Sequence, residues 1–273
     1  MRKSPFLLSL VVAGAATFAA CGDGADSGSD STRPTSVGPA PTDDVGSTTS
    51  TASTDPVVDP GDGGNYAPTL DPADFVEVID NPFLPMPVGA TWRFEGESDG
   101  EVETVEITVT DERRTVLGIS AVVVRDVVRI DGEIVEDTRD WFAQDKNGNV
   151  WYLGEAVADY ENGKLVSTAG SWEAGVDGAF PGIVMPADPQ VGDQIRQEFY
   201  PGEAEDMMKI VAVGESLTVP AGSFDDVITT HDWTPLEPEV IEAKYYQRGV
   251  GKIREEKIAG GDGLAELVEY SLP

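Results

Sequence analysis

Alternation with a period of two runs through nearly all of residues 66–273. Val105, Ile107 and Val109 are interleaved with Glu106, Thr108 and Thr110, and Leu264, Val268, Tyr270 and Leu272 repeat the pattern near the C-terminus. Extended chain places successive side chains on opposite faces, so this patterning builds sheet with one face buried. The same reading gives strands over 91–97, 121–130, 134–144, 149–155, 195–200, 209–213, 227–233, 240–247 and 252–258. Asp131-Gly132, Asn147-Gly148, Asn162-Gly163 and Gly249-Val250-Gly251 are turn signals between them. Such short gaps make hairpins, so neighbouring strands are antiparallel. Helix is confined to a turn or two, at 72–78 and 203–209. The expected fold is all-β: an antiparallel meander of about ten or eleven strands. A sheet that long curls into a barrel or half-barrel and so manages its edges.

Two stretches break the alternation. Residues 170–190 (GSWEAGVDGAFPGIVMPADPQ) form a long irregular segment whose Trp172, Phe180 and Met185 would anchor it to the sheet. Residues 201–206 (PGEAED) follow one strand later. A long irregular segment in a compact domain is either functional or without fixed structure, and the apolar anchors favour an ordered, functional one.

The first 65 residues have a different composition. Arg2 and Lys3 precede an uncharged apolar run, residues 6–20, too short for an ordinary transmembrane span. The run ends in Phe18-Ala19-Ala20-Cys21-Gly22, which resembles the lipobox of bacterial lipoproteins. The resemblance implies a signal peptide over 1–20, cleavage before Cys21 and diacylation of its thiol. Residues 22–65 hold 8 Gly, 7 Ser, 7 Thr, 5 Pro and 8 Asp with no aromatic residue. That composition cannot bury enough apolar surface to form a core, so 21–65 reads as a flexible tether. Residues 66–273 read as a single β domain, with the chain exported and held at the cell membrane through Cys21.

Composition excludes several function classes. The net charge is -32 overall and -27 within 66–273, which is incompatible with gripping nucleic-acid phosphates or anionic lipid through the domain. One Cys and one His leave no disulfide framework and no multi-Cys or His-rich metal site. No cofactor is expected, and the domain reads as non-catalytic.

Among candidate residues, Asp145, Asn147 and Asn149 in DKNGN suggest a calcium loop. The calcium pattern, however, needs Gly at position six and an acid at twelve, where this chain has Val150 and Ala156. The sequence therefore reads as a hairpin turn at Asn147-Gly148. His231 alternates with Thr229 and Trp233 as a half-buried structural residue. The densest acidic run is Glu198, Glu203, Glu205 and Asp206 around Tyr200. Paired carboxylates there could cleave a glycan or bind a cation. Together with Trp172 and Met185, the residues Glu198, Tyr200, Glu203 and Asp206 form the candidate ligand-binding set.

Finally, NPFLPMPVGATW (81–92), DKNGNVWYLGE (145–155), SWEAGVDGAFPGIVMPADPQVGD (171–193), RQEFYPGEAED (196–206), VPAGSFDDV (219–227) and KYYQRGVGKI (244–253) resemble a group of exported bacterial proteins without an assigned activity. The pair VPAGSF and YYQRGVG is similar to elements of envelope proteins with one strongly curved antiparallel sheet. Relatives of that shape include periplasmic carriers that hold acyl chains in the concave face. That similarity bears on the fold, while the lipobox, the tether, the strand meander and the aromatic-bearing segment together suggest a carrier of an apolar or sugar-like ligand, capped by residues 170–190. An envelope glycan hydrolase and a calcium-stabilised surface protein are the alternatives.

Overall fold

Each apolar run ends in a turn that glycine or an Asx residue can make, so strand follows strand along the chain. The computed structural model describes residues 66–98 and 100–273. The signal peptide, Cys21 and the tether lie outside the described residues. After a 3-10 turn at Pro72–Asp74 come β1 (Phe75–Val76), β2 (Thr91–Ser98), β3 (Glu101–Val116), β4 (Ile119–Ile130), β5 (Glu133–Asp145) and β6 (Val150–Ala156). Three short strands follow: β7 (Asp159–Glu161), β8 (Lys164–Ser167) and β9 (Trp172–Glu173). Then come β10 (Phe180–Met185), β11 (Gln194–Arg196) and β12 (Glu198–Phe199). The chain ends with β13 (Met207–Val219), β14 (Gly222–Trp233), β15 (Ile241–Gln247), β16 (Gly251–Ala259) and β17 (Gly263–Ser271).

The result is one antiparallel 17-stranded sheet curled into a nearly closed barrel. Neighbours in sequence pair through most of the wall, and β17 returns to β2 with Leu267 opposite Phe94. On the other side β6 pairs with β10, β10 with β12, and β11 with β13. The strand count exceeds the ten or eleven expected from sequence because bulges and short pairings divide the chain further. Residues 170–190, read as an irregular cap, instead supply β9 and β10, and both pair with β6. Their Gly and Pro residues hid two strands inside the wall.

The meander gives the barrel two unlike ends. Turns near residues 117, 147, 220 and 249 gather at one end, and turns near 100, 131, 203, 237 and 261 at the other. Residues 79–86 cross the first end and plug it with the buried side chains of Ile79, Phe83, Leu84 and Met86. The Asn81 amide donates to the carbonyls of Gly148 (2.9 Å) and Pro186 (3.1 Å), and Gly249 N–H donates to the Pro82 carbonyl (2.6 Å). Phe94, Ile107, Val109, Val124 and Phe142 fill the space beneath.

Two bulges decide what enters the other end. Asp140 pairs with Glu155 but Phe142 with Tyr152, so β6 carries one extra residue there. Gly154 sits in that bulge at φ 135°, where a Cβ would come within 2.4 Å of the Trp172 carbonyl. Tyr152 and Glu155, three apart, therefore both meet Asp140, the first through its hydroxyl and the second as its cross-strand partner. In β16, Arg254 pairs with Tyr245 and Lys252 with Tyr246, a second slip. Lys252 and Glu255 therefore point inward together and meet at 2.8 Å.

Candidate functional site

The second end of the barrel is lined with charge. Among the described residues eleven carboxylates and three cations are buried. One of the acids, Asp145, belongs elsewhere. Its carboxylate accepts from the N–H groups of Asn147 and Asn149, the Asn149 amide and the Trp151 indole, all at 2.9–3.0 Å. That satisfies the carboxylate within the hairpin, as the turn reading of DKNGN expects.

The other ten acids surround the acidic end. Alternation on β15 turns Glu242, Lys244 and Tyr246 inward, opposite Asp232, Thr230 and Ile228 of β14. Lys244 Nζ lies 3.3 Å from Asp232 and 4.0 Å from Glu242. Asp232 also accepts from Thr230 and, at 3.2 Å, from Gln197. Burial alone would pull the Lys244 ammonium down, but Glu255 and Asp232 together push it well above its ordinary range. On β5 the same alternation aligns Glu136, Thr138 and Asp140. Thr138 donates to Glu136 at 2.9 Å, and the Tyr152 hydroxyl donates to Asp140 at 2.7 Å. Glu103 of β3 and Asp126 of β4 complete this side.

Desolvation dominates the ionisation of these groups, because charged carboxylates lose their hydration when buried. Burial, reinforced by Glu255 and Glu136, pushes Glu103 up to about 8. Burial pushes Glu136 and Asp140 up to about 7 each, against the pull of Thr138 and Tyr152 respectively. Asp206 rises to about 8 through burial although Lys244 draws it back, and Glu242 rises to about 8 through burial and Glu255. Asp126, Glu155 and Glu198 are each pushed well above the carboxylate range, by burial first and then by Asp140, Glu198 and Asp206 respectively. Both oxygens of all three meet no protein hydrogen-bond donor. The Trp172 indole lies near enough to Glu198 to pull its carboxyl back, without completing a hydrogen bond.

The residues singled out from sequence separate into two groups. Trp172, Glu198 and Asp206 converge at the acidic end, where Gln197 N–H donating to the Asp206 carbonyl at 2.8 Å closes the turn between β12 and β13. Met185 lies in the apolar core opposite Val150, Tyr200 packs half-buried against that core, and Glu203 is exposed on the turn. His231 is half-buried on the outer face of β14, opposite Lys209 and Ala243. Sequence reading missed Glu103, Asp126, Glu136, Asp140, Glu155, Asp232, Glu242 and Glu255, together with Lys244 and Lys252. For Glu103 the signal was present, since it continues the inward row of Val105, Ile107 and Val109.

Where the acidic end meets solvent, a groove of about 480 Å³ is lined by Glu97, Gly100, Glu256, Lys257, Asp262, Gly263 and Leu264. Lys257 is close enough to the buried acids to lower both Glu103 and Glu242. At the plugged end, a pocket among Leu84, Met86, Trp92, Phe94 and Ile107 holds only about 10 Å³.

No family model matches the chain, and no curated protein matches it. Two solved structures are similar at low identity. One is a Bacteroides fragilis protein described as exported, with a YmcC-like fold. It is 14% identical, covering 70% of this chain and 99% of that one, at a TM-score of 0.38. The other is a Parabacteroides distasonis protein described as a lipoprotein. It is 18% identical, covering 70% of this chain and 100% of that one, at a TM-score of 0.36.

Proposed function

We propose that the chain is an exported, non-catalytic binding protein, held at the cell envelope by a lipid on Cys21, that takes a small polar ligand at the acidic end of its barrel. The groove of about 480 Å³ carries this reading. Glu97 and Asp262 offer hydrogen-bond acceptors and negative charge there, beside Glu256, whose carboxylate already accepts from Tyr245 and Arg254. Such a lining suits a hydroxyl-rich or amine-bearing molecule. A buried acyl chain is disfavoured, because the apolar pocket of about 10 Å³ holds roughly one water. Glycan cleavage is disfavoured as well. Glu155 and Glu198, two carboxylates of the interior cluster, are 1% and 0% exposed and out of reach of a polysaccharide.

Calorimetric titration of the mature chain with monosaccharides and with short diamines tests the reading. Saturable binding is expected to weaken about tenfold in Glu97→Gln/Asp262→Asn, on the scale of one lost hydrogen bond to a charged group. Binding of a diamine would fall with ionic strength, and binding of a sugar would not. No heat with either class, together with no small molecule retained in native mass spectrometry of protein from its own host, would overturn the proposal.

A further inference from the structure

A second inference concerns the sealed interior and stands independently of the groove. We infer that the carboxyl cluster inside the acidic end is a proton-binding site, which holds protons in the folded barrel at neutral pH and releases them on unfolding.

The geometry gives three reasons. The first is charge. Ten carboxyls share this interior with the ammonium groups of Lys244 and Lys252. Both are engaged by acids of the cluster, Lys244 by Asp232 and Glu242 and Lys252 by Glu255. Fully ionised, the interior would carry about eight uncompensated negative charges, a state that burial makes prohibitive. The second reason is the missing donors. Asp126, Glu155 and Glu198 direct both oxygens into the cluster without a protein hydrogen-bond donor, and Glu103, Asp140 and Asp206 each leave one oxygen so. Protonation turns a carboxylate into a carboxylic acid, whose O–H supplies a donor that its neighbour lacks. The third reason is the arrangement. Among the described residues no three acidic, His or Cys groups converge as metal ligands would. A proton needs only one.

The groups facing each acid come from every side of the barrel. Glu155 of β6 faces Glu198, Asp140, Glu136 and Asp206. Glu198 of β12 faces Asp206, Asp140, the Trp172 indole and Lys244. Asp126 of β4 faces Asp140, Lys252, Glu136 and Glu255. The raised ionisation of Glu103, Asp206 and Glu242 to about 8 agrees with this picture. The sign of the linkage follows. Unfolded carboxyls titrate near pH 4–4.5, so between there and about pH 8 the folded state holds more protons than the unfolded one. Stability from these groups is therefore fully present in acid and declines as pH rises towards 8.

The test counts protons. Unfolding the mature wild-type chain with denaturant at pH 7 in weak buffer is expected to release on the order of four protons. No release, or net uptake, would overturn the inference. In parallel, Glu155→Gln and Glu198→Gln each imitate the protonated acid. Each is expected to flatten the fall of Tm between pH 5 and 8 and to raise Tm at pH 8. A variant that folds and keeps the wild-type slope would count against a proton on that group. If millimolar calcium removes the wild-type slope at pH 8, the site is a cation site instead. The proton count needs no variant, so it decides the matter even if both substitutions prevent folding.

Discussion

The two ends of this barrel are built from the same strands and differ in what fills them. At the plugged end, residues 79–86 lay Phe83, Leu84 and Met86 over Phe94, Ile107 and Phe142, and the space left is about one water molecule. At the other end the inward rows of the same strands carry Glu103, Asp126, Glu136 and Asp140. On β3 the change takes two residues, from Val105 to Glu103. The first end is held by dispersion and the hydrophobic effect, which pH hardly touches. The second is held by a balance of protons, two lysines and hydrogen bonds. Stability should therefore reside at one end and responsiveness at the other.

The largest effect expected at the apolar end comes from Phe142→Ala. Phe142 is fully buried and stacks on Tyr152 with ring centroids 4.9 Å apart. Its truncation should cost about 3–5 kcal/mol, and by the same amount at pH 5 and pH 8, measured by denaturant unfolding. A cost that changes markedly with pH would dissolve the distinction between the ends. At the acidic end Lys244→Met is the corresponding change. It leaves Asp232 and Glu242 without their ammonium, a loss of about 3 kcal/mol at pH 8 for a buried pair stripped of one partner. Because Glu242 protonates below about 8, the penalty should shrink towards pH 5. An equal penalty at both pH values would mean that Lys244 acts by packing alone.

This contrast also explains how far the sequence could be read. Period two and the Asx-Gly turns gave the all-β class and the antiparallel order, because both are local properties of the chain. The inward rows were legible on β3 and β15, where Glu103 continues Val105 and Ile107, and Glu242 alternates with Lys244 and Tyr246. Acids on such rows ordinarily mark a solvated face, and nothing local says that the sheet will close over them. Glu155 and Lys252 were illegible for a different reason. Their bulges change the spacing from two to three, so Tyr152 with Glu155 and Lys252 with Glu255 appear to lie on opposite faces when counted by alternation. Glu198 and Asp206 stood out only as an acidic run. The exposure of Glu203 between them depends on the turn at Tyr200–Ala204, which folds the two buried acids back towards each other.

The smallest expected effect sharpens the comparison most, because it concerns two adjacent residues of β4. Arg125 points outward and holds Asp137 through paired hydrogen bonds of 2.8 and 2.5 Å, and Asp126 points inward among the buried acids. The Arg125 side chain is 43% exposed, so solvent screens the pair and side-chain ordering offsets part of it. Arg125→Met should cost less than about 1 kcal/mol, and less still in high salt. Asp126→Asn should do the reverse at pH 8. It removes a group that resists ionisation there and is expected to raise Tm by about 2–4 °C, the shift that 1 kcal/mol produces in a domain of this size. The gain should shrink towards pH 5 and vanish only below about pH 4, where the unfolded carboxyl is protonated as well. Thermal melts of both variants at two pH values and two salt concentrations separate the cases. The outer pair should respond to salt and the inner acid to pH; an Asp126→Asn gain that follows salt rather than pH would place that carboxyl in contact with solvent.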